Sequence, residues 1–269
     1  MKRFNTFTLA VASLVSSISV MNGGVASAVP VITNGLVAHY EFNGNADDSS
    51  VVGNDGQESG SPNYVTGVVN SAIHFDGIDD SVIIPANSNL SFGTSDFSVA
   101  FWFRMSASEG GPEPGLSVDE RCCDEWGYGL GASLEMFNSP PLGQVSFGVS
   151  GAGFGDATQT GSQIALILDD EWHTVVGTRS GSAVSVYLDG LLMREVTGVI
   201  YDVGESNPIY LGQRFTGGNH HHGTMDELSI YNRALSASEV STLYSTIPEP
   251  NTAVLLGLGL AGMAARRRV

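Results

Sequence analysis

Between Leu36 and Tyr231 the chain never sustains a helical period. Its apolar residues come in short runs, alternating or wholly apolar, cut by Gly, Asn, Asp and Ser: "LVAHYEF", "SVIIP", "FSVAFWFRM", "QVSFGVS", "WHTVVGTR", "AVSVYLDG" and "PIYLGQ". Runs of that length and period are strands. In "VYLDGLLMREV", Asp189-Gly190 falls between two such runs, the strongest short hairpin signal. One stretch reads otherwise: in "LSASEVSTLY", Ser236 and Glu239 have the spacing of a capping box for a short helix. About a dozen strands closed by one helix predict an all-β, two-sheet antiparallel sandwich. The 34 glycines, the 14% of charged residues and the length of 269 agree with one large, loop-rich β domain.

The charge balance narrows the partners. From Val29 to Ile247 there are 27 acids, six arginines and no lysine, 21 net negative charges. Such a surface repels phosphate backbones, which excludes nucleic acid as a partner. It suits divalent cations, and it suits solubility outside the cell, where salt blunts the self-repulsion.

Both ends read as addresses. Residues 1–28 open with Lys2-Arg3, continue with an apolar run from Leu9 to Val20 and close on Ala26-Ser27-Ala28. That is the grammar of a secretory signal peptide, with cleavage expected after Ala28. Residues 29–34 form a linker, and the domain is expected over 35–245. Residues 246–269 place Pro248-Glu249-Pro250 before an apolar, Gly/Ala-rich segment from Asn251 to Ala265 and three arginines. The prolines make an extended break, the apolar segment is short for a spanning helix, and the arginines hold its end on the cytoplasmic side. The arrangement resembles the PEP-CTERM sorting signal. The resemblance implies recognition by an exosortase, transient membrane insertion, removal of the tail near Pro248, Glu249 and Pro250, and delivery to the surface or extracellular matrix of a Gram-negative bacterium.

A second resemblance covers residues 35–245. "GLVAHYEFNGNADDSSVVGNDG", "AIHFDGIDDSVIIP", "FSVAFWFRM", "DDEWHTVVGTR", "VSVYLDG" and "GTMDELSIYNRALSASEV" follow the order of laminin G-like domains, in the concanavalin A-like lectin and glucanase superfamily, near the pentraxins. This implies a jelly roll with one concave sheet and a rim of loops that often bear calcium and recognise carbohydrate or protein. Members range from hydrolases to adhesins, so the fold leaves function to the site.

Glycoside hydrolysis needs two carboxylates across a cleft. On a strand they must alternate to share a face, and no such string of acids occurs. Asp169, Asp170 and Glu171 are consecutive and read as a solvated turn; Glu135 stands alone. There is no G-x-S-x-G, and no base lies near a suggestive serine. The expectation is a protein that is not an enzyme.

Calcium takes six to eight oxygens from loops with closely spaced acids. The candidates are Asn43, Asn45, Asp47 and Asp48; Asp76, Asp79 and Asp80; and Asp226 with Glu227. The first and last strands of a jelly roll are neighbours, so one calcium is expected at Asn43, Asp47 and Asp226. Asp124 and Glu125, in a loop that the resemblance implies lies at the calcium-bearing rim, are alternative ligands, and His220 and His222, on the same side of an extended run, are a further set. Cys122 and Cys123 are adjacent and cannot form an ordinary disulfide, because the Cα atoms lie too close. Trp126, Tyr128, Tyr201 and Phe215, in loops or at strand ends, are candidate sugar platforms, whereas Trp102 and Trp172 lie inside apolar strands and are expected in the core. The function expected is a surface-displayed module that binds polysaccharide or another envelope glycan. A structural matrix protein without a defined ligand, and a hydrolase, are the alternatives.

Overall fold

A computed structural model describes residues 31–106, 115–120, 127–135, 142–150, 158–163, 167–198, 202–203, 207–213 and 220–245. Within them the chain forms strands β1 (Leu36–Tyr40), β2 (Gln57–Ser59), β3 (Asn63–Thr66), β4 (Ser71–Asp76) and β5 (Ser81–Ile84). These are followed by β6 (Phe97–Arg104), β7 (Gly115–Glu120), β8 (Gly127–Glu135), β9 (Leu142–Ser150) and β10 (Thr158–Gln163). The remainder are β11 (His173–Ser180), β12 (Ala183–Leu188), β13 (Leu191–Val196), β14 (Ile209–Leu211), β15 (His222–Tyr231) and one helix, α1 (Ala237–Ser245). One sheet runs β13-β12-β11-β6-β15-β4-β3 with β1 also on β15; the other runs β10-β9-β8-β7-β14-β5-β2. Every pairing is antiparallel. The architecture is the expected all-β jelly-roll sandwich.

The period of two explains the layers. In β6 the odd positions Phe97, Val99, Phe101 and Phe103 enter the core between the sheets, where they join Val82, Val118, Phe147 and Leu211 of the opposite sheet. The even position Ala100 faces outward and meets Val176, Tyr231, Leu235, Val240 and Leu243, the second apolar cluster, under α1. A strand covered on both sides reads as an unbroken apolar run, as "FSVAFWF" does. Close packing also needs an absence of side chain: a Cβ on Gly177 of β11 would lie 2.4 Å from the ring of Phe147.

Local signals are obeyed. Asp189 and Gly190 have φ of 49° and 76°, which makes the β12–β13 connection a type I′ turn. The Glu239 amide donates to Ser236 Oγ at 3.3 Å and the Ser236 amide donates back to Glu239 Oε2 at 2.8 Å, the reciprocal cap that starts α1. Arg233 adds two hydrogen bonds to the same carboxylate, and these, with the Ser236 amide, hold its pKa down at about 2. Of the two tryptophans expected in the core, Trp102 is buried and Trp172 is not. Trp102 lies outside the inter-sheet core, where it stacks on Tyr244 of α1 at 6.2 Å. Trp172 is half-buried with the Arg104 guanidinium 5.3 Å from its ring centroid. An even strand position faces the helix layer, and the residue before β11 lies at the margin of the sheet.

Candidate functional site

The outer face of the β6–β15 sheet carries an unusual concentration of buried polar groups. Asp226 pairs with Trp102 and Ser229 with Ala100, so two residues of β15, Glu227 and Leu228, stand opposite Phe101 alone. That is a β-bulge, and Glu227 occupies it with φ of 52°, a conformation more often given to glycine. The bulge lies where β15 changes neighbour: β4 pairs with it up to Met225, β1 from Leu228 onward.

His39 of β1 is buried beside the bulge. Its Nδ1 lies 2.9 Å from Ser229 Oγ and its Nε2 3.4 Å from Glu227 Oε2. Burial lowers its pKa, partly offset by Glu41, the Leu228 backbone and Asp48. The two acids are pushed the other way. Burial raises Glu227 to about 8, helped by Asp226 and Glu41. It raises Asp226 to about 7 although three amides donate to that carboxylate. Val68 and Val69 donate to Asp226 Oδ2 at 2.8 and 3.2 Å, and Glu227 donates to Oδ1 at 3.0 Å. The approach is close enough that a Cβ on Gly67 would be 2.5 Å from Asp226 Oδ2. Asp226 thus fastens the β3–β4 turn to the bulge.

A serine, an imidazole and a carboxyl in contact suggest acyl chemistry, and dimensions decide against it. The recess above them, lined by Val31, Trp102, Thr174, Tyr231 and Leu243, has room for little more than a water molecule. Ser229, His39 and Glu227 are themselves all buried. The arrangement joins β1 to the bulge and stores two acids with raised pKa.

The expected metal ligands are placed as follows. Asn43 and Asp226 reach the same turn, where Asn43 Oδ1 accepts from the Ser71 amide at 3.1 Å. Exposed Asp47 is bonded to Asn45 at 2.7 Å. Its neighbour Asp48, buried, organises the loop instead, accepting from the amides of His39, Ser50 and Asn54 at 2.9 to 3.0 Å. Among the described residues, three ligand groups within 4.8 Å of one another occur at Asp76, Asp79 and Asp80. There Asp80 Oδ1 and Oδ2 accept from the amides of Ser61 and Asp76, and Asp76 Oδ1 accepts from Ile78. These bonds make the carboxylates acceptors of their own turn. The His220 ring lies beside that turn, Nδ1 3.3 Å from the Asp80 carbonyl oxygen, and His222 meets His74 edgewise at 5.3 Å. Asp124, Glu125, Trp126, Tyr201, Phe215, Cys122, Cys123, Ala28, Pro248, Glu249 and Pro250 lie outside the described residues. Tyr128 is in β8, opposite Glu120 and Val149, and its side chain is outside them as well.

Sequence reasoning missed His39, Asp48 and Glu227 as one network with Ser229. One signal was available: adjacent acids inside "GTMDELSIY" break a strand's alternation, as a bulge does.

The comparisons bear on the whole unit. The chain spans about half the length of two toxin domains it matches. The binding domain of Paraclostridial Mosquitocidal Protein 1 superposes with a TM-score of 0.61 at 19% identity, over 80% of this chain and 52% of that one. The binding domain of botulinum neurotoxin DC, in complex with SialylT, gives 0.59 at 13%, over 81% and 53%. Domain 4 of AbnA, an extracellular arabinanase of Geobacillus stearothermophilus, in complex with arabinotriose, gives 0.58 at 20%, over 78% and 98%. At these identities the likeness is one of fold. No curated protein matches. The PEP-CTERM protein-sorting motif matches residues 246–268. The concanavalin A-like lectin/glucanases superfamily matches residues 75–241, well over half of the chain, and the chain belongs to that superfamily.

Proposed function

We propose that this is an exported protein, processed by an exosortase, whose sandwich binds polysaccharide or another envelope glycan at the cell surface or in the extracellular matrix, without cleaving it. The observation that carries the reading is the joining of a sorting motif at 246–268 to a lectin-superfamily domain. A neighbouring fold solved with arabinotriose supports the choice of glycan. Trp126, Tyr128, Tyr201 and Phe215 are the proposed sugar contacts, on the strength of their residue type, and the recess under α1 is too small for a sugar. Hydrated sugars bind single sites weakly, about 4 to 8 kcal/mol, and display of many copies raises retention. Calcium is proposed as an aid, on the strength of the net charge and the Asp76, Asp79 and Asp80 group.

Full-length protein immobilised at high density and challenged with exopolysaccharide, with calcium and with chelator, tests this. Retention without release of reducing ends supports it. New reducing ends would establish a hydrolase, and absence of retention would leave a structural matrix protein.

A further inference from the structure

We infer that the pole formed by α1 and the β12–β13 turn is a lipid-contact surface, seated on the membrane while the C-terminal segment is inserted. This rests on the reading of residues 246–269 as a tail that enters a membrane.

Exposed large apolar residues are not scattered evenly. Of the six among the described residues, Leu191 (69% exposed), Leu192 (53%) and Tyr244 (39%) belong to this pole. The turn and the helix are neighbours: a Cβ on Gly190 would lie 3.4 Å from Ser241 Cα and 3.5 Å from Tyr244 Cβ. Val31, the fourth, lines the same recess as Leu243 of α1. The strand that carries the two leucines, β13, ends its sheet among the described residues.

Chain length identifies the occupant. α1 ends at Ser245, and the apolar segment begins at Asn251, six residues on. Fully extended, six residues reach about 20 Å, so the end of α1 stays within about that distance of the bilayer surface. When Asn251 is at the bilayer surface, this pole is therefore the part of the domain held against it. Its charges are prepared for that approach. In a chain with 21 net negative charges from Val29 to Ile247, the acids beside the patch each have a partner: Asp189 lies 2.8 Å from His173, Glu239 lies 2.6 Å from Arg233, and Glu195 of β13 accepts from Ser185 Oγ at 3.0 Å. Aliphatic side chains and a tyrosine among partnered charges match the interfacial zone of a bilayer, where amphipathic rings settle and apolar groups enter the acyl boundary.

The test uses the full chain in vesicles of phosphatidylethanolamine and phosphatidylglycerol, with brominated acyl chains in a second set. Flotation reports insertion of the tail. Two variants place a reporter at exposed positions, Leu192→Trp at this pole and Ile78→Trp on the β4–β5 turn, each read against wild type. The expected result is a blue shift of the added emission, and its loss to brominated lipid, at position 192 and not at 78. Chains that float while position 192 stays unquenched, or while 78 is quenched as strongly, overturn the surface and leave the tail reading intact. Chains that fail to float overturn both. A blue shift at 192 without lipid that grows with protein concentration assigns the patch to a second copy of the chain, and also overturns the inference.

Discussion

Replacing Glu227 by glutamine should stabilise the protein at alkaline pH and leave it almost unchanged in mild acid. The folded carboxyl titrates at about 8 and an unfolded one near 4.5. The folded state therefore binds the proton more tightly, and stability falls as pH rises from the unfolded to the folded value. From about pH 5 to pH 8 this group alone costs about 3 kcal/mol, at about 1.4 kcal/mol for each pH unit. Glutamine has the shape of the protonated acid and cannot titrate, so Glu227→Gln removes that loss. The groups around it are His39 on β1, Glu41 just beyond it, and Asp226 on β15. Asp226 titrates in the same direction at about 7, and its burden eases once its neighbour carries no charge, which adds to the gain. His39 acts in the opposite direction: its lowered pKa means that stability is lost as pH falls below 6.5, and because its Nε2 lies 3.4 Å from Glu227 the difference is read above that value. Urea denaturation of wild type and variant across this range gives the two curves. The expectation is curves that meet near pH 5 and separate by about 3 kcal/mol at pH 8. Parallel curves would show that Glu227 is ionised in the fold throughout, and the burial argument would fail.

Other perturbations follow from single contacts. Gly177→Ala forces a Cβ into the Phe147 ring and should cost about 1 to 3 kcal/mol in denaturant midpoint, as overpacking does. Asp48→Ala strands the amides of His39, Ser50 and Asn54 and should cost about 2 to 4 kcal/mol, with faster amide exchange in the 49–54 loop. For His173, burial opposes charge, but Asp189 and Asp169 outweigh it and raise the pKa; its contribution is complete below 6.5 and is lost as pH rises through the folded value, so His173→Gln should flatten the decline of melting temperature above neutrality. Calcium at a hundredfold excess over its dissociation constant should add about 2.7 kcal/mol to the stability of the full chain, and identical melts with chelator would remove the ion from the proposal.

The fold was legible because its determinants are local. Alternation in "FSVAFWFRM", the Asp189-Gly190 turn and the Ser236 to Glu239 cap each act over a few residues, and each is realised. Strands such as Gln57–Ser59 and Asn63–Thr66 lack an apolar signature because they lie at sheet edges with exposed or half-buried positions, and they were not foreseen. The polar network was illegible for a different reason. His39 and Ser229 are 190 positions apart, and their contact depends on register across β1 and β15. Among neighbouring acids, sequence cannot say which is buried: Asp47 is exposed, while Asp48 holds the loop, because a bridge to Tyr40 turns Asp48 inward.

The same geometry bears on which glycan a surface of this charge can hold. Of the four arginines described, Arg179 is buried and bonded to the Gly93 carbonyl, Arg233 is spent on Glu239, Arg104 lies over Trp172 near Asp170, and Arg194 is exposed on β13. Three of the four serve the fold, and the domain keeps 21 net negative charges. An anionic polysaccharide approaching it meets repulsion over about 8 to 10 Å at physiological salt. A neutral one meets none. Retention of neutral glycan should therefore be insensitive to salt, whereas retention of a uronate-rich glycan should need either high salt or a divalent cation bridging carboxylate to carboxylate. Parallel columns of full-length protein, eluted with a salt gradient and then with chelator, separate the cases. Tight retention of the anionic polymer at low salt in chelator would mean that cations outside the described residues form a basic site strong enough to overcome the domain's field, and the charge argument would be wrong.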